Sequence, residues 1–243
     1  MYGITHAATG WCAGLLLAPL VDAHTLPQAV VLATVTAGAA LLPNLDHPDA
    51  RQSRLLYLLT AALSAVMQGL SRLLGRLTSR RFEAYGGERQ YFTHTLLFAG
   101  LLGAGVSWWV STARTFAVVA VLVLSCVFVV DALGDWLLPA VAGAVLVALV
   151  NTDKMAAMSP WLGLAVGVGV LVHCAGEGMT GDGSPLFWPV PLGGQTWREI
   201  PAPALARFQA GGLFEVAVLL PGLVIADMLL LPGMTTLLGS FFG

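Results

Sequence analysis

Long apolar stretches separated by short polar segments dominate the chain. Gly and Ala recur within them, as in helices that pack closely in lipid. A helix needs roughly 20 such residues to cross a bilayer. The pattern predicts an all-α fold, a polytopic membrane bundle within a single integral-membrane domain over residues 1–243, with a loop at 178–211. About seven apolar helices are expected, at 6–21, 26–43, 93–112, 115–131, 135–150, 158–175 and 212–232.

Residues 51–81 have a different pattern. Leucines recur there at helical spacing and arginines cluster at both ends. This is typical of an amphipathic helix lying at the membrane surface. A further short membrane span is the alternative interpretation.

Composition supports a membrane protein. The chain is 57% hydrophobic and 10% charged, with a mean hydropathy of +0.83, which is unlike a soluble domain. Its net charge of −2 gives no reason to expect a nucleic-acid partner. The three cysteines are scattered through apolar runs and form no Cys-x-x-Cys pair, so no disulfide framework is expected.

The basic residues predict the orientation. Cytoplasmic loops of membrane proteins carry an excess of Lys and Arg. Placing the 44–92 loop in the cytoplasm leaves only Arg114 and Lys154 outside. It puts nine arginines inside, namely Arg51, Arg54, Arg72, Arg76, Arg80, Arg81, Arg89, Arg198 and Arg207. A bacterial inner-membrane protein with a cytoplasmic N-terminus is therefore predicted.

Four of the five histidines stand at the ends of apolar segments. With that orientation all four lie on the cytoplasmic face, whereas His24 lies in an external turn and is excluded. Imidazole and carboxylate groups are the ligands of zinc and similar divalent ions. The predicted metal ligands are His6, Asp46, His47, His94, His173 and Glu177.

Each motif also has a simpler structural interpretation. His173 and Glu177 are four residues apart, so on a helix they could share an ion or bond to each other. Asp46 and His47 follow Pro43 closely and could simply start a helix. A lone interfacial histidine, such as His6, is more often solvated than metal-bound. The shared sidedness of the motifs favours a common site.

The order of these motifs resembles the YdjM-like family of LexA-binding, inner-membrane-associated hydrolases. The resemblance covers residues 6 to about 200. Its matching pieces are His6, the stretch Leu42-Pro43-Asn44-Leu45-Asp46-His47-Pro48, the stretch Arg89-Gln90-Tyr91-Phe92-Thr93-His94-Thr95, the pair His173 and Glu177, and Gly183-Ser184-Pro185-Leu186-Phe187-Trp188-Pro189. The sequence departs from the family pattern at Asn44 and Glu177, where the family has Asp, and lacks a His near Arg89, where Glu88 is a nearby substitute.

The family in turn is similar to zinc-dependent phospholipase C and single-strand nucleases. The resemblance implies a divalent-metal hydrolase, with zinc as the metal by ligand type, acting on a phospholipid or other phosphoester at the cytoplasmic face. Asp49 or Asp135 is predicted to take a proton from water, and Arg89 and Arg198 to bind phosphate.

Two other functions remain open from the sequence. A non-catalytic protein could bind anionic lipid or a partner through the Arg-rich segment. A transporter would need ionisable residues at mid-membrane. Because nearly all such residues stand at segment ends, the transporter ranks last.

Overall fold

The chain folds as a helical bundle. The computed structural model describes residues 1–46, 58–79, 92–134, 152–180, 183–234 and 240. Its α-helices are α1 (Gly3–Leu17), α2 (Leu26–Ala39), α3 (Leu58–Thr78), α4 (Leu96–Leu133), α5 (Thr152–Met179) and α6 (Leu220–Leu230). Short 3-10 helices occupy Ala18–Val21, Leu42–Asp46, Phe92–His94 and Ala204–Ala206, and a π-helix occupies Glu215–Leu219. Within these ranges the predicted all-α fold is confirmed.

Within the described residues, four helical stretches are long and apolar enough to cross a membrane. They are Gly3–Val21, Leu26–Asp46, Leu96–Leu133 and Pro160–Met179. The predicted span 135–150 lies outside the described residues. The count of about seven apolar helices therefore stays a prediction.

Helix α4 consists of two arms that run in opposite directions. Arg114 breaks it with φ 42° and ψ −118°. A straight helix from Leu96 to Phe128 would be about 48 Å long at 1.5 Å per residue. Yet Thr93, just before the first arm, hydrogen-bonds Asp46, and Phe128 packs in one cluster with Leu45. The chain must reverse at Arg114, which lies between the predicted spans 93–112 and 115–131.

Small residues let the helices approach closely around α2. A Cβ added to Gly14 of α1 would lie 2.5 Å from Ala33 Cα. A Cβ on Gly38 would be as close to Ser125 Cα on the second arm of α4, and one on Gly169 of α5 would meet the Thr36 carbonyl. Such glycine contacts are expected where helices associate without a hydrophobic driving force between them. They place α2 at the centre of the bundle.

Helix α3 lies against one end of this bundle. Its contacts include the two 3-10 helices Leu42–Asp46 and Phe92–His94. The Ser64 hydroxyl donates to the Leu45 carbonyl, and the indole N–H groups of Trp188 and Trp197 both donate to Thr78 Oγ1. The helix predicted within 51–81 is thus confirmed over Leu58–Thr78, and it is not among the stretches apolar enough to span.

A candidate metal centre at one end of the bundle

Four of the predicted ligands converge from two helices and one 3-10 turn. His6 lies in α1, and His173 and Glu177 lie one turn apart in α5. His94 ends the 3-10 turn before α4. Ligand atoms of His6, His173 and Glu177 lie within 4.8 Å of one another, and His94 Nε2 lies 3.2 Å from His173 Nε2. The structure therefore brings together groups that are far apart in sequence.

The fold fixes the orientation of His173. This imidazole is fully buried, and its Nδ1 lies 2.7 Å from the Ala40 carbonyl oxygen at the end of α2. A carbonyl can only accept a hydrogen bond, so Nδ1 carries the proton. Nε2 is then left with a free lone pair that points towards His94. A carbonyl partner of this kind is common behind metal-bound histidines.

Thr93 fixes the orientation of His94 in the same way. The Thr93 hydroxyl lies 3.0 Å from His94 Nδ1, 3.2 Å from Asp46 Oδ2 and 3.4 Å from the Pro43 carbonyl. The Thr93 hydroxyl has a single proton, and the carboxylate and carbonyl oxygens near it can only accept hydrogen bonds. Because the hydroxyl donates its proton to the carboxylate, its oxygen accepts a hydrogen bond from Nδ1–H of His94. His94 Nε2 then also carries a lone pair.

The facing nitrogens fit a divalent ion. Two imidazole lone pairs 3.2 Å apart repel unless a proton or a cation lies between them. In tetrahedral zinc coordination with Zn–N bonds of 2.0–2.1 Å, two nitrogen ligands of one ion are about 3.3 Å apart. The His94–His173 spacing matches that distance. The donor set of three imidazoles and one carboxylate is of the kind that zinc prefers.

His6 and Glu177 form the second half of the cluster. His6 Nε2 lies 2.9 Å from Glu177 Oε1, and its ring stacks on His173 with centroids 4.0 Å apart. His6 is buried, and its Nδ1 has no hydrogen-bond partner. A buried nitrogen without a hydrogen-bond partner is unusual in a folded protein. It is a second observation that favours a ligand or an ion bound at this cluster.

Glu177 provides the exposed side of the cluster. Its side chain is 34% exposed, whereas that of His6 is 1% exposed. The Met1 amino group lies 3.2 Å from Glu177 Oε1 and donates also to Thr180 Oγ1. A molecule would therefore reach the buried imidazoles past Glu177.

Asp46 is placed behind His94 rather than within the group of close ligand atoms. Its Oδ2 accepts hydrogen bonds from the Ser71 hydroxyl at 2.5 Å and from Thr93. The same Ser71 oxygen accepts from the Phe92 backbone N–H. The buried carboxylate therefore ties α3 to the His94 turn, and it acts on His94 through Thr93.

The remaining predicted site residues are not brought to the cluster by any described contact. Arg198 is exposed, and its guanidinium lies so close to Gly193 that a Cβ there would collide with it. His47, Asp49, Arg89 and Asp135 lie outside the described residues, as does Glu88.

Glu215 lies outside the predicted site, since the sequence favours a helix-packing or helix-end role for it. This carboxylate is fully buried, and its two oxygens accept the backbone N–H groups of Tyr2 and Gly211, each at 2.7 Å. The Tyr2 carbonyl in turn accepts the backbone N–H of His6 at 3.1 Å. Glu215 therefore anchors the start of α1, one turn before His6. The available signal was an isolated carboxylate at the start of an apolar segment, which is costly to bury without partners.

Comparison with known proteins identifies a family for nearly the whole chain. Neither the curated proteins nor the solved structures gave a match. The model of the YdjM inner membrane protein family matches residues 1–231. The chain accordingly belongs to the YdjM inner membrane protein family.

Proposed function

We propose that this protein is a metal-dependent phosphoester hydrolase of the inner membrane. His6, His94, His173 and Glu177 would hold one or more divalent ions, zinc by ligand type. The observation that carries the proposal is the facing pair of Nε2 atoms, 3.2 Å apart, with both Nδ1 atoms engaged by oxygen atoms behind them.

A divalent ion held by these residues would lower the pKa of a water molecule and would polarise a phosphoryl oxygen. The chain's own residues do the rest. Ala40 and Thr93 hold His173 and His94 in the tautomer whose Nε2 carries a lone pair. Glu177 lies at the exposed side of the cluster, where a substrate phosphate can approach. The overall reaction adds water across one P–O ester bond, so that the alcohol leaves with one proton of that water.

Roles predicted from the sequence complete the proposal. Asp49 or Asp135 would accept the proton of the attacking water. Arg89 and Arg198 would bind phosphate oxygens through their guanidinium forks. The arginine bias supports a site on the cytoplasmic face. The resemblance of the family to zinc-dependent phospholipase C supports a phosphodiester as the substrate, by analogy.

The test is a metal analysis coupled to a substrate panel. Purified protein loaded with zinc should retain the ion after desalting and hydrolyse a phospholipid or a soluble phosphodiester. His173→Ala should abolish both properties. The matched control is His24→Ala, which removes an exposed imidazole that pairs with Asp22. Absence of both bound metal and turnover from the wild-type protein would refute the proposal.

A second function is favoured by the outer face of α3. Val66, Leu73 and Leu77 are exposed on this helix and share one side at helical spacing, with Arg72 beside them. This is the pattern of a helix that docks on an anionic membrane surface. A purely binding protein would lose its function when this face is substituted and would keep its function in His173→Ala. A hydrolase would show the opposite result.

A further inference from the structure

An apolar cavity lies next to the candidate metal centre. Its volume is about 650 Å³, and it is bounded by α2, α3 and both arms of α4. This is within the roughly 300–1,000 Å³ typical of small-molecule sites. Among its described lining residues, polar side-chain atoms are limited to the hydroxyls of Thr93 and Ser125 and the indole N–H of Trp109. A wall of this kind offers few partners for water or charge.

One end of the cavity lies behind His94, one imidazole ring away from the facing nitrogens of the candidate metal centre. Leu45 and Thr93 line that end, and the Thr93 hydroxyl is the one that contacts His94 and Asp46. Trp109 and Ala120 line the other end, towards the reversal at Arg114. Along the first arm, the lining from Phe98 to Trp109 rises about 16 Å at 1.5 Å per residue.

The cavity also faces outward between the two arms of α4. Leu101 on the first arm and Val123 on the second both line it, and they are 58% and 46% exposed. Both arms belong to a stretch apolar enough to cross the membrane. In a bilayer the molecules next to such a surface are lipid hydrocarbon chains, which could enter sideways between the arms.

We propose that this cavity binds one hydrocarbon chain of the substrate, so that the phosphoester is a membrane lipid whose headgroup lies at the metal centre. This inference rests on the proposed hydrolase function. A hydrocarbon chain held alongside the metal centre would fit the cavity in its size, its apolar wall, its lateral opening and its contact with Thr93. None of these features favours a soluble phosphodiester as the preferred substrate.

Two glycines on the first arm provide a matched pair of variants. Gly105 lines this cavity, whereas Gly100 lines a separate groove against α5. A Cβ added at either position meets nothing within 4 Å. Gly105→Phe and Gly100→Phe should therefore both fold, and only Gly105→Phe should fill the cavity.

Binding is tested with phosphatidylglycerol that carries a diazirine in the middle of one acyl chain, incorporated with the protein into phosphatidylglycerol vesicles. Photolysis should place cross-links on cavity residues such as Leu102 and Val121. Gly105→Phe should reduce that labelling by about tenfold, the scale expected of overpacking, and Gly100→Phe should leave it unchanged. Cross-links confined to other surfaces, or equal labelling in both variants, would overturn the inference.

Turnover separates this inference from the proposed function. Gly105→Phe should lower kcat/KM for long-chain phosphatidylglycerol by about tenfold and leave hydrolysis of bis-p-nitrophenyl phosphate and the zinc content unchanged. Equal kcat/KM losses for the lipid and the soluble diester would overturn the chain-binding role. A wild-type protein with cavity cross-links but no turnover of either substrate would overturn the hydrolase and the substrate assignment together, while leaving the chain site supported.

Discussion

His173 Nε2 lies 3.2 Å from His94 Nε2, although 79 residues separate them in the chain. Each ring is held from behind by an oxygen atom, from Ala40 for His173 and from Thr93 for His94. Both lone pairs therefore point into the same small space, beside the stacked ring of His6. This arrangement is the physical basis of the proposed metal centre.

The first prediction concerns topology. Single cysteines near His24, Arg114 and Lys154 should react with a membrane-impermeant maleimide added outside intact cells, because the arginine bias puts these positions outside. Cysteines near Asp49 and Gly183 should react only after the membrane is permeabilised. External labelling at Asp49 would contradict the cytoplasmic placement of the centre.

The second prediction concerns helix packing. Gly14→Ala should destabilise the bundle by about 1–3 kcal/mol through overpacking, because a Cβ there would lie 2.5 Å from Ala33 Cα. A Cβ added at Gly100 meets nothing within 4 Å. Gly100→Ala should therefore stabilise the helix by about 0.5–1 kcal/mol. Unfolding in detergent measures both. Equal stability of the two variants would be inconsistent with the described α1–α2 contact.

Much of this architecture could be predicted from the sequence, for identifiable reasons. The apolar runs located α1, α2, both arms of α4 and α5, because an apolar segment of this length can satisfy its own backbone hydrogen bonds within lipid by forming a helix. The arginine bias placed the histidine motifs on one face, which is why His6, His94 and His173 could be assigned to one site. These predictions depend on local composition and on sidedness alone.

Other features depend on tertiary contacts that no local pattern encodes. Asp46 was predicted as a metal ligand, but its described partners are Ser71 and Thr93. Ser71 belongs to α3, and the position of α3 against the bundle depends on the whole fold. Glu215 was passed over because its partners are backbone N–H groups of Tyr2 and Gly211. A backbone group has no signature in the sequence.

The third prediction tests the support of His94. Thr93→Val removes the hydroxyl between His94 and Asp46, and it should weaken zinc affinity by about 10–100-fold, as loss of a group behind a metal ligand typically does. Competition with a chromophoric chelator measures this. Thr112→Val is the matched control, since that hydroxyl is exposed and bonds only to its own helix backbone. Equal affinities in the two variants would show that Thr93 does not position His94.

The fourth prediction concerns Glu215. Glu215→Gln keeps the size of the side chain but leaves one acceptor for two backbone N–H groups, so it should cost about 1–3 kcal/mol of stability. Zinc affinity should also fall, because Tyr2 anchors the turn that carries His6. Thermal unfolding and chelator competition check the two effects. The control is Asp22→Asn, at a side chain that is 96% exposed, which should change neither the stability nor the zinc affinity. A Glu215→Gln variant with unchanged stability and zinc affinity would contradict the anchoring role.

The most direct test of the proposed centre is zinc X-ray absorption combined with metal stoichiometry on the purified protein. The wild-type chain and His24→Ala should each hold at least one zinc, with nitrogen and oxygen ligands at about 2.0–2.2 Å and several imidazoles in the coordination shell. His173→Ala should lose the ion. Failure of the wild-type protein to retain zinc, or unchanged retention and coordination in His173→Ala, would contradict a metal centre built on this histidine.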